Sequence, residues 1–201
     1  MPDKFLAIKT EYPDGKQRFR IYNQEVQEAF IIMLDFVVKD DHLEVELTDI
    51  LNSYYDTDVG KKNPLPTGIM NILMKLIKEF SIHLSNGKPI QYKLKDVSYK
   101  QLSGDTFHAR AWITPYLALK NHGDHYYKRY GFVLDEPSQN MLMDLIDSGL
   151  PPCGYFGPCS ALNLSATTDN ITIPKDLAHT SFNFRTYYDE CDEEIISISR
   201  V

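Results

Sequence analysis

Residues 67–84 read TGIMNILMKLIKEFSIHL, and this stretch contains the clearest secondary-structure pattern in the chain. Its apolar residues recur at intervals of three and four, which is typical of an amphipathic helix that buries one face. Asn86-Gly87 follows directly, and Gly readily accepts the left-handed conformation that ends helices. The pattern predicts a helix whose buried face is formed by Ile69, Ile72, Leu73, Leu76, Ile77 and Phe80.

Strand-like runs lie on both sides of this helix. Residues 5–8 and 19–22 are apolar and aromatic, and the Pro13-Asp14-Gly15 segment between them is a typical turn sequence. These runs predict an N-terminal hairpin. Residues 43–47 and 90–94 alternate apolar and polar side chains, which predicts two further strands with one exposed face.

Residues 23–37 carry a second helix-like pattern. Asn23 can accept a hydrogen bond from the first turn of a helix, and apolar residues follow at three- and four-residue intervals. We therefore expect a helix here, with Val26, Ala29, Phe30, Met33 and Val37 on its buried face. Residues 51–66 are rich in Asp, Gly, Asn and Pro, and we interpret them as a loop.

In the second half of the chain, the predicted elements are helices up to about residue 150 and strands after it. Thr114-Pro115 and Glu136-Pro137 are helix starts, and Gly123, Gly131 and Gly149 are expected helix ends. A Pro- and Gly-rich stretch then precedes four short strand-like runs at residues 161–165, 170–173, 182–187 and 195–199. We therefore expect a mixed α/β (α+β) fold, with a core in residues 1–150 and a β-rich extension in residues 151–201 that packs on it.

Composition and charge exclude several classes of protein. The net charge is −7 and the pI about 5.3, and no cluster of basic residues is present, so nucleic-acid binding is not expected. The longest apolar run, residues 29–34, is far shorter than the roughly 20 residues that cross a bilayer. The start of the sequence lacks a secretory signal pattern, and three cysteines make no disulfide framework. We therefore expect a cytoplasmic protein without a membrane partner.

Residues 121–132, NHGDHYYKRYGF, resemble a segment of the GNAT N-acetyltransferases. In that family a helix ends in a Tyr-x-x-x-Gly-Phe pattern before the chain enters a strand, and Tyr127, Gly131 and Phe132 match it. The resemblance implies a GNAT-like core. It also implies that Tyr127 is the candidate catalytic acid, which would return a proton to the coenzyme A thiolate as it leaves.

The family's phosphate-binding loop has no good counterpart in this sequence. GNAT proteins hold the pyrophosphate of acetyl-CoA with a Gln/Arg-x-x-Gly-x-Gly/Ala loop that opens a helix. The partial match is Gln101-x-x-Gly104, but Asp105 and Thr106 follow where a Gly or Ala belongs. A carboxylate at this position repels phosphate. We therefore expect no cofactor, unless the chain is an active acetyltransferase that uses acetyl-CoA.

A second resemblance is to small proteins of large eukaryotic DNA viruses. Those proteins show Asp-x-Ser, a helix, and then Gly-x-x-Trp-Tyr-x-x-x-Gly-Phe. Here Asp96-x-Ser98 and residues 123–132 look like this pattern, with Tyr126 where the viral proteins usually carry Trp. The resemblance implies a viral origin and a degenerate GNAT-like core without an assigned activity.

Two functions stay open at this point. The first is a non-catalytic viral protein, associated with the virion or acting as an interaction module for other proteins, and the missing phosphate loop favours it. The alternative is an active GNAT-type N-acetyltransferase. The aromatic-rich C-terminal strands could add to the edge of a partner's sheet. The acidic run at residues 189–194 is expected on the surface, where it aids solubility or docks on a basic partner.

The histidines and cysteines give no strong metal or nucleophile pattern. His122 and His125 have ligand-type side chains, but a structural zinc site needs two more ligands, which only long-range folding could supply from Cys153, Cys159 or His179. We expect no metal and interpret both histidines as solvated loop residues. A disulfide or a nucleophilic role at the two cysteines is not favoured by their local sequence.

Overall fold

The computed structural model describes residues 3–96, 100–101, 110–111, 123–147, 153–154 and 162–201. Its strands are β1 Lys4–Glu11, β2 Gln17–Asn23, β3 Val26–Val38, β4 Leu43–Ile50, β5 Ile90–Asp96, β6 Lys100–Gln101, β7 Arg110–Ala111, β8 Val133–Leu134, β9 Cys153–Gly154, β10 Leu162–Thr167, β11 Phe182–Tyr188 and β12 Glu194–Arg200. Its α-helices are α1 Asn52–Asp56, α2 Asp58–Lys62, α3 Ile69–Ser85 and α4 Glu136–Asp147, with 3-10 turns at Tyr126–Tyr130 and Lys175–Leu177. The expected mixed α+β class is confirmed.

The chain divides into two compact units, residues 1–92 with 167–201 and residues 93–166. In the first unit the strands lie side by side in the order β11-β12-β1-β2-β3-β4-β5. In the second unit, the end of β5 is followed in the sheet by β10 and β8, and β6, β7 and β9 form a separate small sheet. The expected domain boundary at residues 150/151 stays a prediction.

The N-terminal hairpin forms as predicted. β1 and β2 pair antiparallel from Phe5 opposite Asn23 to Glu11 opposite Gln17. Gly15 has a φ of 82°, and its N–H donates to the carbonyl of Tyr12 across the turn. Glycine suits this position because a left-handed backbone costs it little. The turn at Pro13-Asp14-Gly15, which the sequence predicted, therefore sets the register in which β1 and β2 pair.

Residues 26–38 form the long strand β3, so the predicted helix at residues 23–37 is wrong. Ile31, Ile32, Leu34 and Phe36 are all buried, and these four residues would not lie on one face of a helix. β2 and β4 pair with β3 on its two sides and satisfy its backbone hydrogen bonds. β-Branched and aromatic side chains fit such a central strand better than a helix.

Asp35 is a buried carboxylate in the middle of β3. The guanidinium of Arg18 donates to it twice, with Nε 2.6 Å from Oδ1 and a terminal nitrogen 2.8 Å from Oδ2. The ammonium of Lys16 lies 3.6 Å away. Burial alone raises the pKa of Asp35, but the hydrogen bonds and charges of these two cations outweigh it and hold the pKa below its ordinary value.

Helix α3 forms close to its predicted bounds. Its apolar face is buried, and the ring of Phe80 lies 5.1 Å from that of Phe19 and 5.9 Å from that of Phe36, both at edge-to-face angles. The helix ends at Asn86 and Gly87, which both adopt positive φ. Aromatic pairing of this kind adds to the stabilisation that comes from area burial. α3 therefore covers one face of the sheet in the first unit.

Residues 51–66 contain two short helices where the sequence predicted a loop. Thr57 caps α2, because its hydroxyl accepts a hydrogen bond from the N–H of Gly60. Gly60 itself is buried, and a Cβ at this position would lie 1.9 Å from the carbonyl oxygen of Tyr54. Glycine is required here because the two helices approach at the level of their backbones.

The C-terminal strands agree with the sequence at three of four places. β10, β11 and β12 lie where strands were predicted, but residues 170–173 are not a strand. Residues 168–170 are a turn, in which the N–H groups of Asn170 and Ile171 both donate to Thr167. β12 pairs with β1, so the last strands belong to the same sheet as the first.

The helix predicted from Thr114 to Gly123 lies outside the described residues except for Gly123 itself. α4 begins at Glu136 as predicted, and Gly131 ends a short 3-10 turn with a φ of 86°. Among the residues that the structure describes, no helix is long and apolar enough to cross a membrane.

Candidate functional site

The Tyr-x-x-x-Gly-Phe segment folds as one 3-10 turn followed by β8. The N–H of Gly131 donates to the carbonyl of Lys128 at 2.9 Å, and that of Phe132 donates to Tyr127 at 3.3 Å. Phe132 is fully buried and Val133 begins the strand. The local order of turn, glycine and strand matches the prediction, and each step has a structural cause in capping and burial.

Tyr127, the candidate catalytic acid, is half-buried in this turn. Its ring packs edge-to-face against Phe132, with centroids 6.1 Å apart, and against Tyr126 at 5.2 Å. A cavity of about 370 Å³ lies nearby in the same unit, and Tyr127 is not among the described residues that line it. The described contacts of the Tyr127 ring are therefore aromatic packing contacts.

His125 is buried, whereas the sequence led us to expect a solvated loop residue. It is only 7% exposed. Burial lowers the pKa of His125, against the opposing charges of Asp124 and Asp96. The imidazole is therefore held in its neutral form near pH 7.

The cavity that His125 lines has a buried floor and an exposed rim. His125, Phe132 and Leu142 form the floor. The rim carries both apolar and polar side chains, because it includes Gly123, Lys128, Val133, Gln139 and Met143. Asp124 and Leu134 complete the lining. The segment around the 3-10 turn, together with β8 and α4, thus places the polar side chains of the lining beside its apolar ones.

The remaining metal and cofactor candidates are not brought together in the described part of the chain. No group of three or more His, Cys, Asp or Glu side chains there could hold a metal ion. His179 is exposed, and of Cys153 only the backbone is described. His122, Cys159, Ser98 and the Gly104-Asp105 pair of the partial phosphate loop lie outside the described residues.

The acidic run at residues 189–194 forms the turn between β11 and β12. The carboxylate of Asp189 accepts hydrogen bonds from the N–H groups of Cys191 and Glu193 and shapes this turn. Glu190 and Asp192 are exposed, as expected for an acidic surface run. Glu194 begins β12 and pairs with Lys9, 3.0 Å away.

β11 is the edge strand of the sheet in the first unit. In the part of the chain that the structure describes, its one neighbouring strand is β12. Tyr187 and Tyr188 are 40% and 64% exposed, so two large aromatic side chains lie next to each other in sequence at this edge. From the sequence we expected that the C-terminal strands could add to the edge of a partner's sheet; among the described strands, β11 is the C-terminal one that lies at an edge, and its pairing with a partner stays a prediction.

Two functional features were not found from the sequence. The burial of His125 was the first, and no pattern in the neighbouring sequence gave a direct signal of it. The cavity needs α4 beside the 3-10 turn, which is a tertiary arrangement that sequence spacing does not encode.

No protein-family model, curated protein or solved structure matches the chain significantly. Neither the GNAT-like core nor the viral origin is therefore identified by these comparisons.

Proposed function

We propose that this protein is a non-catalytic interaction module that binds an extended, basic segment of a partner protein along the edge strand β11. The observation that carries the proposal is the backbone edge of β11, which has no second neighbouring strand among the described residues and ends in an exposed aromatic residue and an acidic turn. Addition of a strand to such an edge is a common mode of peptide recognition.

The backbone of β11 presents alternate residues to the outside. Ser181 and Val201 exchange both of their backbone hydrogen bonds, so odd-numbered residues of β11 face β12. The N–H and carbonyl groups of Phe184, Thr186 and Tyr188 then point away from the sheet. A partner strand paired with these three residues would form up to about six backbone hydrogen bonds.

A side chain of α3 closes the start of this edge. The carboxylate of Glu79 accepts a hydrogen bond from the N–H of Phe182, at 2.8 Å. Covering part of an edge strand is a common protection against unwanted pairing. Within the described part of the chain this cover ends at Phe182, so the open segment is residues 184–188, which is long enough for a short peptide.

The side chains around the open segment define the chemistry of the partner. On the α3 side, the ring of Phe184 stacks on His83 at 4.8 Å, and Tyr188, four residues further along the strand, is exposed. At the end of the strand the turn carries exposed Glu190, Asp192 and Glu193. A segment with an apolar side chain for the Tyr188 surface and Lys or Arg near the turn complements both features.

A second copy of this chain fits the edge less well. Symmetric antiparallel pairing about Thr186 would place Glu190 of one copy opposite Phe182 of the other. The cap residue Glu79 lies at that position. Two carboxylates would then approach each other at both ends of the interface, and like charges placed opposite one another are destabilising.

The direct test is a selection of random nonapeptides on the full-length protein, with counter-selection on a Thr186→Pro variant. Proline removes one outward N–H and is tolerated on the solvent side of an edge strand. We expect enriched peptides to alternate apolar residues with Lys or Arg, and to bind the variant roughly tenfold more weakly. Peptides that bind both proteins equally would place the site elsewhere. A dimer that Thr186→Pro dissociates would make the partner a second copy.

The viral origin and virion association form a separate part of the proposal. Their support is the pattern of Asp96 and residues 123–132 together with the missing phosphate loop. Recovery of the protein in fixed proportion to structural proteins in purified particles would bear this out. Recovery only from the cytosol of infected cells, as a free monomer, would contradict it.

The alternative function is a GNAT-type N-acetyltransferase with Tyr127 as the acid. The observation in its favour is the local order of the 3-10 turn, Gly131, Phe132 and β8. Thermal unfolding with acetyl-CoA at about a hundred times its dissociation constant would show stabilisation of roughly 2.7 kcal/mol if the cofactor binds. Turnover that Tyr127→Phe abolishes without unfolding the protein would establish this alternative, and an unchanged rate would remove Tyr127 from the mechanism.

A further inference from the structure

The cavity beside His125 lies in the second unit and does not involve the edge strand β11. Its volume of about 370 Å³ is at the small end of the range for ligand sites. The buried side chains of Phe132 and Leu142 form an apolar floor, and Met143 is 44% exposed at the rim. A concave apolar wall with a few polar atoms is the usual form of a small-molecule site.

The two ring nitrogens of His125 differ in their surroundings. Nδ1 is sealed from solvent and has no hydrogen-bond partner among the described residues. Nε2 lies 3.8 Å from the carboxylate of Asp124, which is too far for a hydrogen bond but close enough to favour a proton on Nε2. Because Nδ1 is sealed, Nε2 is the ring nitrogen that can reach the cavity, and the carboxylate of Asp124 favours the tautomer in which Nε2–H is a hydrogen-bond donor.

The charged groups at the cavity neutralise one another. Asp124 forms an ion pair with Lys128, which lies one turn further along the chain. Burial lowers the pKa of His125, so that its ring adds no charge near pH 7. Among the described residues that line the cavity, His125 is therefore a neutral donor and the charges of Asp124 and Lys128 are paired, so these residues offer no free cation to attract an anion.

We propose that this cavity binds a small uncharged molecule that is mainly apolar and carries one hydrogen-bond acceptor, such as a hydroxyl or carbonyl oxygen. The acceptor receives the Nε2–H of His125, and the apolar part lies against Phe132, Leu142 and Met143. A carboxylate ligand is disfavoured because the acceptor position lies close to the carboxylate of Asp124. The site is independent of the protein partner proposed for β11.

Three aromatic probes of similar size test the proposal on the full-length protein. Benzyl alcohol has the required acceptor, toluene lacks it, and benzoate replaces it with a charge. We expect benzyl alcohol to bind roughly 2- to 10-fold more tightly than toluene, which is the effect of one net hydrogen bond. Benzoate should bind most weakly. The measurement is an NMR titration that follows the imidazole nitrogens of His125 and the methyl groups of Leu142 and Met143.

Two variants separate binding at this cavity from binding elsewhere. His125→Phe keeps a ring at the floor but removes the donor, so it should abolish the difference between benzyl alcohol and toluene. Met143→Trp fills the cavity from its exposed rim and should weaken all three probes. Val38→Trp, at an exposed apolar residue of β3 in the first unit, is the matched control and should change nothing. Met143→Trp keeps the test valid if His125→Phe does not fold.

Three outcomes would overturn the proposal. Benzoate that binds as tightly as benzyl alcohol would contradict the preference for uncharged molecules. Toluene that binds as tightly as benzyl alcohol would remove His125 from recognition. A titration in which none of the probes gives a saturating shift at His125, Leu142 or Met143 would show that the cavity is not a site for this class of ligand.

Discussion

β3 and β11 are strands of the same sheet and have opposite environments. β3 has a neighbour on each side, and its central residues Ile31, Ile32 and Leu34 are completely buried. In the described part of the chain β11 has one neighbouring strand, and all four of its residues after Phe184 are exposed. β3 therefore contributes to the core of the sheet, whereas β11 is the strand along which we propose that a partner binds. Substitutions in the two strands should therefore have different consequences.

The largest effect is expected in the core of β3. Leu34→Ala removes a fully buried side chain and leaves a cavity, which should lower the free energy of unfolding by about 4 kcal/mol. Thr186→Ala in β11 is the matched control, with an expected change within about 0.5 kcal/mol. Chemical denaturation of both variants measures the difference. Similar losses in the two strands would contradict the distinction between a closed and an open part of the sheet.

The ion pair on β3 should give the next largest effect. Arg18→Met leaves the buried carboxylate of Asp35 without its bidentate partner, which should cost about 3 kcal/mol at neutral pH. The folded-state pKa of Asp35 lies below its unfolded value, so its contribution is present above the unfolded pKa and is lost as the pH falls through the folded pKa.

The pH dependence of Arg18→Met is the control for this prediction. Unfolding measured from pH 7 down to below pH 4 should show the difference between wild type and variant shrinking, because protonated Asp35 no longer needs a cation. A difference that stays constant over this range would mean that Arg18 stabilises β3 by packing of its side-chain stem instead.

A smaller effect should separate the two sides of β11. Arg185→Pro removes an N–H that faces β12 and should cost about 2 kcal/mol, because a carbonyl of β12 loses its donor. Thr186→Pro removes an outward N–H and should cost less than about 1 kcal/mol. Equal losses in thermal or chemical unfolding would contradict the assignment of odd residues to β12 and even residues to the open side.

The smallest effect on stability is expected at Tyr188. This side chain is 64% exposed, so Tyr188→Ala should change the free energy of unfolding by no more than about 0.5 kcal/mol. The same variant should weaken a peptide selected on β11 by roughly tenfold, because an exposed aromatic residue supplies contact area to a partner. A peptide that binds the variant as tightly as the wild type would remove Tyr188 from the docking surface.

The comparison of α3 with β3 explains which parts of the fold the sequence could predict. Both segments have apolar residues at three- and four-residue intervals. In α3 the polar residues Lys75, Lys78 and Glu79 fall between them, and Asn86-Gly87 gives a clear end. In β3 nearly every residue from 29 to 38 is apolar, so the same spacing also fits a strand that is buried on both faces. Pairing with the neighbouring strands β2 and β4 makes this segment a strand instead of a helix.

The candidate sites, too, could be predicted from the sequence only in part. Local chemistry predicted the turn at Gly15, the end of the 3-10 turn at Gly131 and the acidic surface turn after β11, because each depends on a few adjacent residues. The burial of His125 and the position of β11 at the edge depend on residues far apart in the chain. A single sequence contains no direct signal for such contacts.

Amide hydrogen exchange of β11 tests the central claim most directly. In the free protein, the N–H groups of Arg185 and Tyr187 should exchange slowly because they bond to β12, whereas those of Thr186 and Tyr188 should exchange fast. Addition of a peptide selected on β11 should slow Thr186 and Tyr188 to the rate of their neighbours. Thr186 that is already slow in the free chain, or that stays fast when the peptide is bound, would contradict the proposal that β11 is an open edge for a partner strand.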